Sequence, residues 1–166
     1  MTVHAPHKAA AALVAALVLC TGAAWAQDRE AGVRAQIGGA GEWGRDESAG
    51  RFGPTVGLEF TAIPNWLEIE AGLTSLFGSG TTDWSAELLF KKSFDLTDKI
   101  EFEVGLGPEW KINSRSVAAE AVLELIYWPK PGRTFGWFVE PSYSYDFGSG
   151  HEQSFGLSFG VLVAIP

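Results

Sequence analysis

Apolar and polar residues alternate with a period of two through most of this chain. Val56, Leu58, Phe60 and Ala62 share one face, with Thr55, Gly57, Glu59 and Thr61 on the other. Leu67, Ile69, Ala71 and Leu73 oppose Glu68, Glu70, Gly72 and Thr74, and Ile100, Phe102, Val104 and Leu106 oppose Glu101, Glu103, Gly105 and Gly107. The pattern returns from Phe135 to Asp146 and from Ser154 to Val163, and more weakly over residues 30–40, 82–92 and 116–128. Successive strand side chains point to opposite faces, so each run has one greasy and one polar side. Helical spacing is confined to the first residues.

Turn formers separate the runs: Pro64-Asn65, Asp95 to Lys99 and residues 129–134 in one set, and residues 42–52, 78–82, 112–116 and 148–151 in the other. Eight strands of roughly 9–13 residues joined as hairpins predict an all-β, eight-stranded antiparallel up-and-down barrel. Leu67 to Leu73 and Ile100 to Leu106 are near-copies 33 residues apart, one hairpin unit used twice. Residues 27–166 form a single barrel domain in this reading.

Residues 1–26 read as a cleaved export signal. Lys8 opens an apolar stretch from Ala9 to Leu19, too short for a membrane span, and Ala24-Trp25-Ala26 is a small-x-small cleavage box. Cys20 follows Leu19, where a lipoprotein signal needs a small residue. Removing the segment takes away Lys8 alone among the charged residues, so the net charge goes from −8 to −9. One histidine and no cysteine remain, which leaves no disulfide framework or thiolate metal site. The acidic balance argues against a nucleic-acid partner, which needs a basic stripe.

Two orientations fit the alternation. With apolar faces inward the chain is a soluble, lipocalin-like periplasmic barrel holding an apolar ligand. With apolar faces outward it is a transmembrane barrel. The second is favoured because ~9–11 tilted residues cross hydrocarbon. Trp43, Trp66, Trp84, Trp110, Tyr127, Trp137 and Tyr145 also lie near strand ends, as interfacial girdles would. Glycines on the polar face, such as Gly57, Gly72, Gly105 and Gly136, would weaken an exposed strand but make room inside a narrow barrel.

The chain resembles in architecture, over residues 30–166, the small eight-stranded outer-membrane proteins of the OmpA and OmpX kind. Its run from Phe138 to Ser154 is similar to that of a small bacterial family with no assigned activity. The resemblance implies an outer-membrane location, lipid as the main partner and a monomer. Such barrels usually end on an aromatic residue; this chain ends Val163-Ala164-Ile165-Pro166, so Phe159 would stand in.

Parity puts Glu59, Glu68, Glu70, Glu87, Glu101, Glu103, Glu109, Glu120, Glu124, Glu140 and Asp146 inside, with Arg34, Lys91 and Lys111 as basic partners. Eleven carboxylates cannot all stay ionised beside three cations in a narrow interior. Protonated pairs, water or bound cations would relieve them. The expected outcome is a polar plug with a structural, membrane-integrity role; slow cation passage is the variant, since acidic rings select cations in pores. No dedicated metal motif or cofactor site is expected. A lipid A-modifying enzyme would need a histidine and a serine at the rim. His151 and Ser154 are the weak candidates, of opposite parity and so poorly placed, and no catalysis is expected.

Overall fold

The computed structural model describes residues 32–45, 50–78, 80–148 and 151–165; the expected signal segment 1–26 lies outside the described residues. Eight strands follow in order: β1 Val33–Gly44, β2 Arg51–Ile63, β3 Leu67–Gly78, β4 Thr81–Thr97, β5 Ile100–Lys111, β6 Ser116–Tyr127, β7 Phe135–Asp146 and β8 Gln153–Ile165. Each pairs antiparallel with the next, and β1 closes the barrel on β8, with Val33 opposite Ile165 and Gly44 opposite Ser154. Closure leaves no edge strand, so each strand finds hydrogen-bonding partners on both sides.

Seven strands have 12 or 13 residues, within the expected 9–13, and β4 alone exceeds it. β4 has 17 and carries on through Asp95 and Thr97, which the sequence reading assigns to a turn. A register shift against β5 between these two residues absorbs the extra length, and only Asp98 and Lys99 turn the chain. Asn65, at φ 61°, makes the β2–β3 turn, a backbone region that asparagine tolerates.

The walls are apolar outside. Ile37, Leu58, Leu106, Phe155 and Phe159 are exposed, whereas Glu59, Glu101, Glu103 and Glu124 have no exposure at all. This inverts a soluble protein and removes the lipocalin-like alternative, which needs the apolar faces inside. Trp43, Trp66, Trp84, Trp110, Tyr127 and Trp137 are exposed on the outer face, and Tyr145 is half-buried against Phe147.

Inner glycines let the wall close on large neighbours. A Cβ on Gly136 would sit 2.8 Å from the Trp128 ring, and one on Gly105 would sit 2.7 Å from the Lys91 stem. Trp128 follows β6 and turns inward. With Ile126, Phe138 and Leu162 it fills the turn end of the barrel on the β6–β8 side.

Candidate functional site: the charged lumen and its mouth

Alternation fixes which side chains enter the lumen, and the stagger of the strands fixes which of them meet. All eleven predicted acids point inward; Glu87 and Glu120 are half-buried and the other nine buried. Ten of them fall into three layers stacked from the turn end to the loop end, and Asp146 stands above these at the mouth.

The lowest layer centres on Arg34 of β1. Its guanidinium pairs with Glu59 and Glu68, with Glu103 at 3.0 Å and with Glu101 at 3.3 Å. The cation thus ties β1 to β2, β3 and, across the lumen, β5. Ser93 donates to Glu68 and Glu103 at 2.8 and 3.1 Å, and the Trp128 indole N–H donates to Glu101 at 2.9 Å. Arg133, in the β6–β7 turn, seals the bottom by pairing with Asp95 at 2.6 Å and Glu101 at 3.3 Å.

Lys91 of β4 holds the middle layer. The side chain is fully buried, with its Nζ 2.5 Å from Glu70 and 2.7 Å from both Glu124 and Glu140. Gln36 also donates to Glu70, at 3.1 Å. A buried lone ammonium would be prohibitive, whereas one surrounded by three carboxylates is compensated. Between them Arg34 and Lys91 tie together seven of the eight strands.

Two carboxylate trios are close enough to hold a metal ion, Glu59–Glu68–Glu103 and Glu59–Glu70–Glu124. Arg34 pairs with every member of the first, and Lys91 with two members of the second. The protein supplies its own cations there.

The upper layer contains Glu87, Glu109 and Glu120. Glu87 and Glu109 are directly opposed across β4 and β5, and the Glu87 carboxyl lies against that of Glu120. Ser144 donates to Glu109 at 2.9 Å. Above this layer a cavity of about 520 Å³ opens between the loops, with Glu109, Ser85 and Leu76 among its lining residues. At its rim Arg51 pairs with Asp83 at 2.6 Å, and Asp146 accepts from Ser116 at 2.6 Å. Lys111 lines this mouth rather than the sealed interior.

The expected tally of three lumen cations was short. Arg51 and Arg133 also reach the ends of the interior, as do Glu42, Asp83 and Asp95. Arg51 shares the parity of Glu59, so following β2 two turns of the pleat further would have found it. Arg133 sits in a turn at φ 46°, where alternation gives no guidance.

His151 and Ser154 do not come together. The His151 ring stacks on Tyr145, whose centroid is 6.1 Å away, while Ser154 is buried at the β8 end opposite Ser144 and Gly44.

No protein-family model matches the sequence, and no curated protein matches it either. Solved structures do match the fold. A de novo designed transmembrane β-barrel superposes with a TM-score of 0.61 at 14% identity, covering 84% of this chain and 100% of that one. Neisserial surface protein A follows at 0.57 and 16%, covering 81% and 99%. The N-terminal β-barrel domain of Pseudomonas aeruginosa OprF gives 0.56 and 16%, covering 82% and 100%. The chain has the fold of the small eight-stranded transmembrane barrels.

Proposed function

We propose that this chain is an integral β-barrel of the outer membrane whose lumen is closed, so that it serves the membrane as a wall component and not as a pore. One observation carries the reading: a side chain as long as Lys91 lies wholly buried at mid-lumen, clasped by carboxylates from β3, β6 and β7. Beneath it Arg34 and its partners fill one half of the cross-section, and Ile126, Trp128, Phe138 and Leu162 fill the other. An eight-stranded interior is only wide enough for side chains, so such filling leaves no continuous water path. The exposed apolar wall supports insertion in lipid, where an exterior of this kind is stable.

Fractionation and conductance test the two halves. The chain should stay with the outer-membrane fraction through carbonate washing and be released by detergent; recovery in the soluble fraction would overturn the location. In planar bilayers the refolded barrel should give no steps above leak. Cation-selective steps that shrink in the Glu101→Gln, Glu103→Gln double variant would overturn the closed lumen in favour of slow cation passage.

A further inference from the structure

Among the described residues, Lys92 is the one charged side chain that the eight strands turn outward. Leu88, Phe90, Phe94 and Leu96 share its face of β4, and Val104 stands opposite it on β5. Its ammonium lies 5.5 Å over the Phe94 ring, and no carboxylate of the described residues pairs with it. An ammonium against hydrocarbon with no countercharge is costly. A lysine at this place implies a partner outside the chain.

The wall around it shows where that partner lies. β3 pairs with β4 only as far as Glu68 and Lys91, whereas β4 runs on to Thr97. From Lys92 onward β4 has β5 on one side and no strand on the other. Hydrocarbon does not tolerate an open strand edge, so the bilayer boundary on this side falls at the level of Lys92. Trp66, just before β3, is exposed beside that level, where indoles favour the headgroups. The lysine stem leans toward Phe94, and so toward the turn end and away from the hydrocarbon. We propose that Lys92, at the foot of the β4 overhang, binds the phosphate of a glycerophospholipid in the leaflet at the turn end. The ammonium supplies the charge, the open edge of β4 adds backbone donors, and the acyl chains lie along Phe90 and Leu88. Short turns of outer-membrane barrels face the periplasm, where the leaflet is phospholipid. The proposal rests on the membrane location given above.

The test is native mass spectrometry of the full barrel, refolded in detergent micelles and titrated with dioleoylphosphatidylglycerol. Folding is checked by heat-modifiable gel mobility. One lipid should stay bound per barrel when the detergent is stripped. Lys92→Gln should lower the affinity about fivefold, the effect of one basic residue at an anionic lipid surface. Lys92→Arg, which keeps the charge, should preserve it, and so should Lys130→Gln, in the β6–β7 turn at the same end. Dioleoylglycerol, with the same chains and no phosphate, should bind the parent no better than it binds Lys92→Gln. Equal affinity of the parent and Lys92→Gln, or as large a loss in Lys130→Gln, overturns the site. Dioleoylglycerol retained as well as the phospholipid overturns the recognition of phosphate. A barrel that resists carbonate washing yet keeps no lipid overturns the site alone; one that washes off the membrane overturns the location beneath it.

Discussion

Lys91 shows how much rests on single residues in so narrow a barrel. Its ammonium makes three ion pairs at 2.5–2.7 Å and has no contact with solvent. Replacing it by methionine keeps the packing and strands the carboxylates that it compensates. Breaking a buried ion pair from one side costs about 3–5 kcal/mol. Lys91→Met should therefore lower the stability of the barrel in phospholipid vesicles by about that much in urea titration, and adding Glu70→Gln and Glu124→Gln should recover most of the loss. A Lys91→Met barrel as stable as the parent would show that the cluster is neutralised by other means. Parity alone reveals that Arg34 and Lys91 face inward. It does not reveal which acids each one meets, because that depends on the stagger of strands across the lumen. The two near-identical segments illustrate the difference. Glu68, Glu101 and Glu103 all meet Arg34, whereas Glu70, from the same motif, meets Lys91.

At the scale of the strand, alternation is a strong guide while it lasts and a poor one where a charge interrupts it. Lys92 breaks the outward apolar series of β4, which hides that strand's true length. Its stem lies on the outer face with the ammonium 5.5 Å over the Phe94 ring, so the strand continues past it. Trp128 is the opposite case. It lies past the end of β6 and beside Pro129, outside the alternating run, but it continues the inward parity of Glu124 and Ile126 and becomes a stopper. Gly136 makes the space for it. In Gly136→Val the new side chain would start 2.8 Å from the indole and 3.2 Å from Ile126, and such overpacking costs about 1–3 kcal/mol. The urea midpoint should fall and the Trp128 emission should shift to the red; an unchanged midpoint would mean that the indole has room to retreat.

For the whole molecule, the decisive property is which face meets lipid, and this is legible in the sequence. Aromatic placement and glycine on the polar face both favoured an apolar exterior. The consequence can be read optically. Trp43, Trp66, Trp84, Trp110 and Trp137 are exposed on the outer wall and Trp128 is only 1% exposed. A barrel produced from Gln27 onward, and so without Trp25, should lose most of its fluorescence in vesicles of brominated phospholipid. The remainder should come from Trp128 and disappear in Trp128→Phe. Uniform quenching of every tryptophan, or none, would contradict this orientation. What could not be read at this scale was the vertical sorting of the acids, since one parity class contains all three layers. Only the closed sheet separates the two that carry their own cation from the one that opens to the mouth.

The position of Arg34 has a consequence for how such a barrel comes together. The strand that bears it, β1, is also the strand that zips to β8, yet its carboxylate partners belong to β2, β3 and β5. In an unclosed sheet the acids of β5 would be far from that guanidinium, hydrated and repelling one another. Rolling the sheet shut brings Arg34 across the gap, so the seam closes and the charge is cancelled in the same movement. The reverse holds under strain. Prising β1 from β8 inside a bilayer would bare a cluster of anions to hydrocarbon, a penalty that rises at the first opened rung. The countercharge thus works as a latch on the joint that closes the barrel.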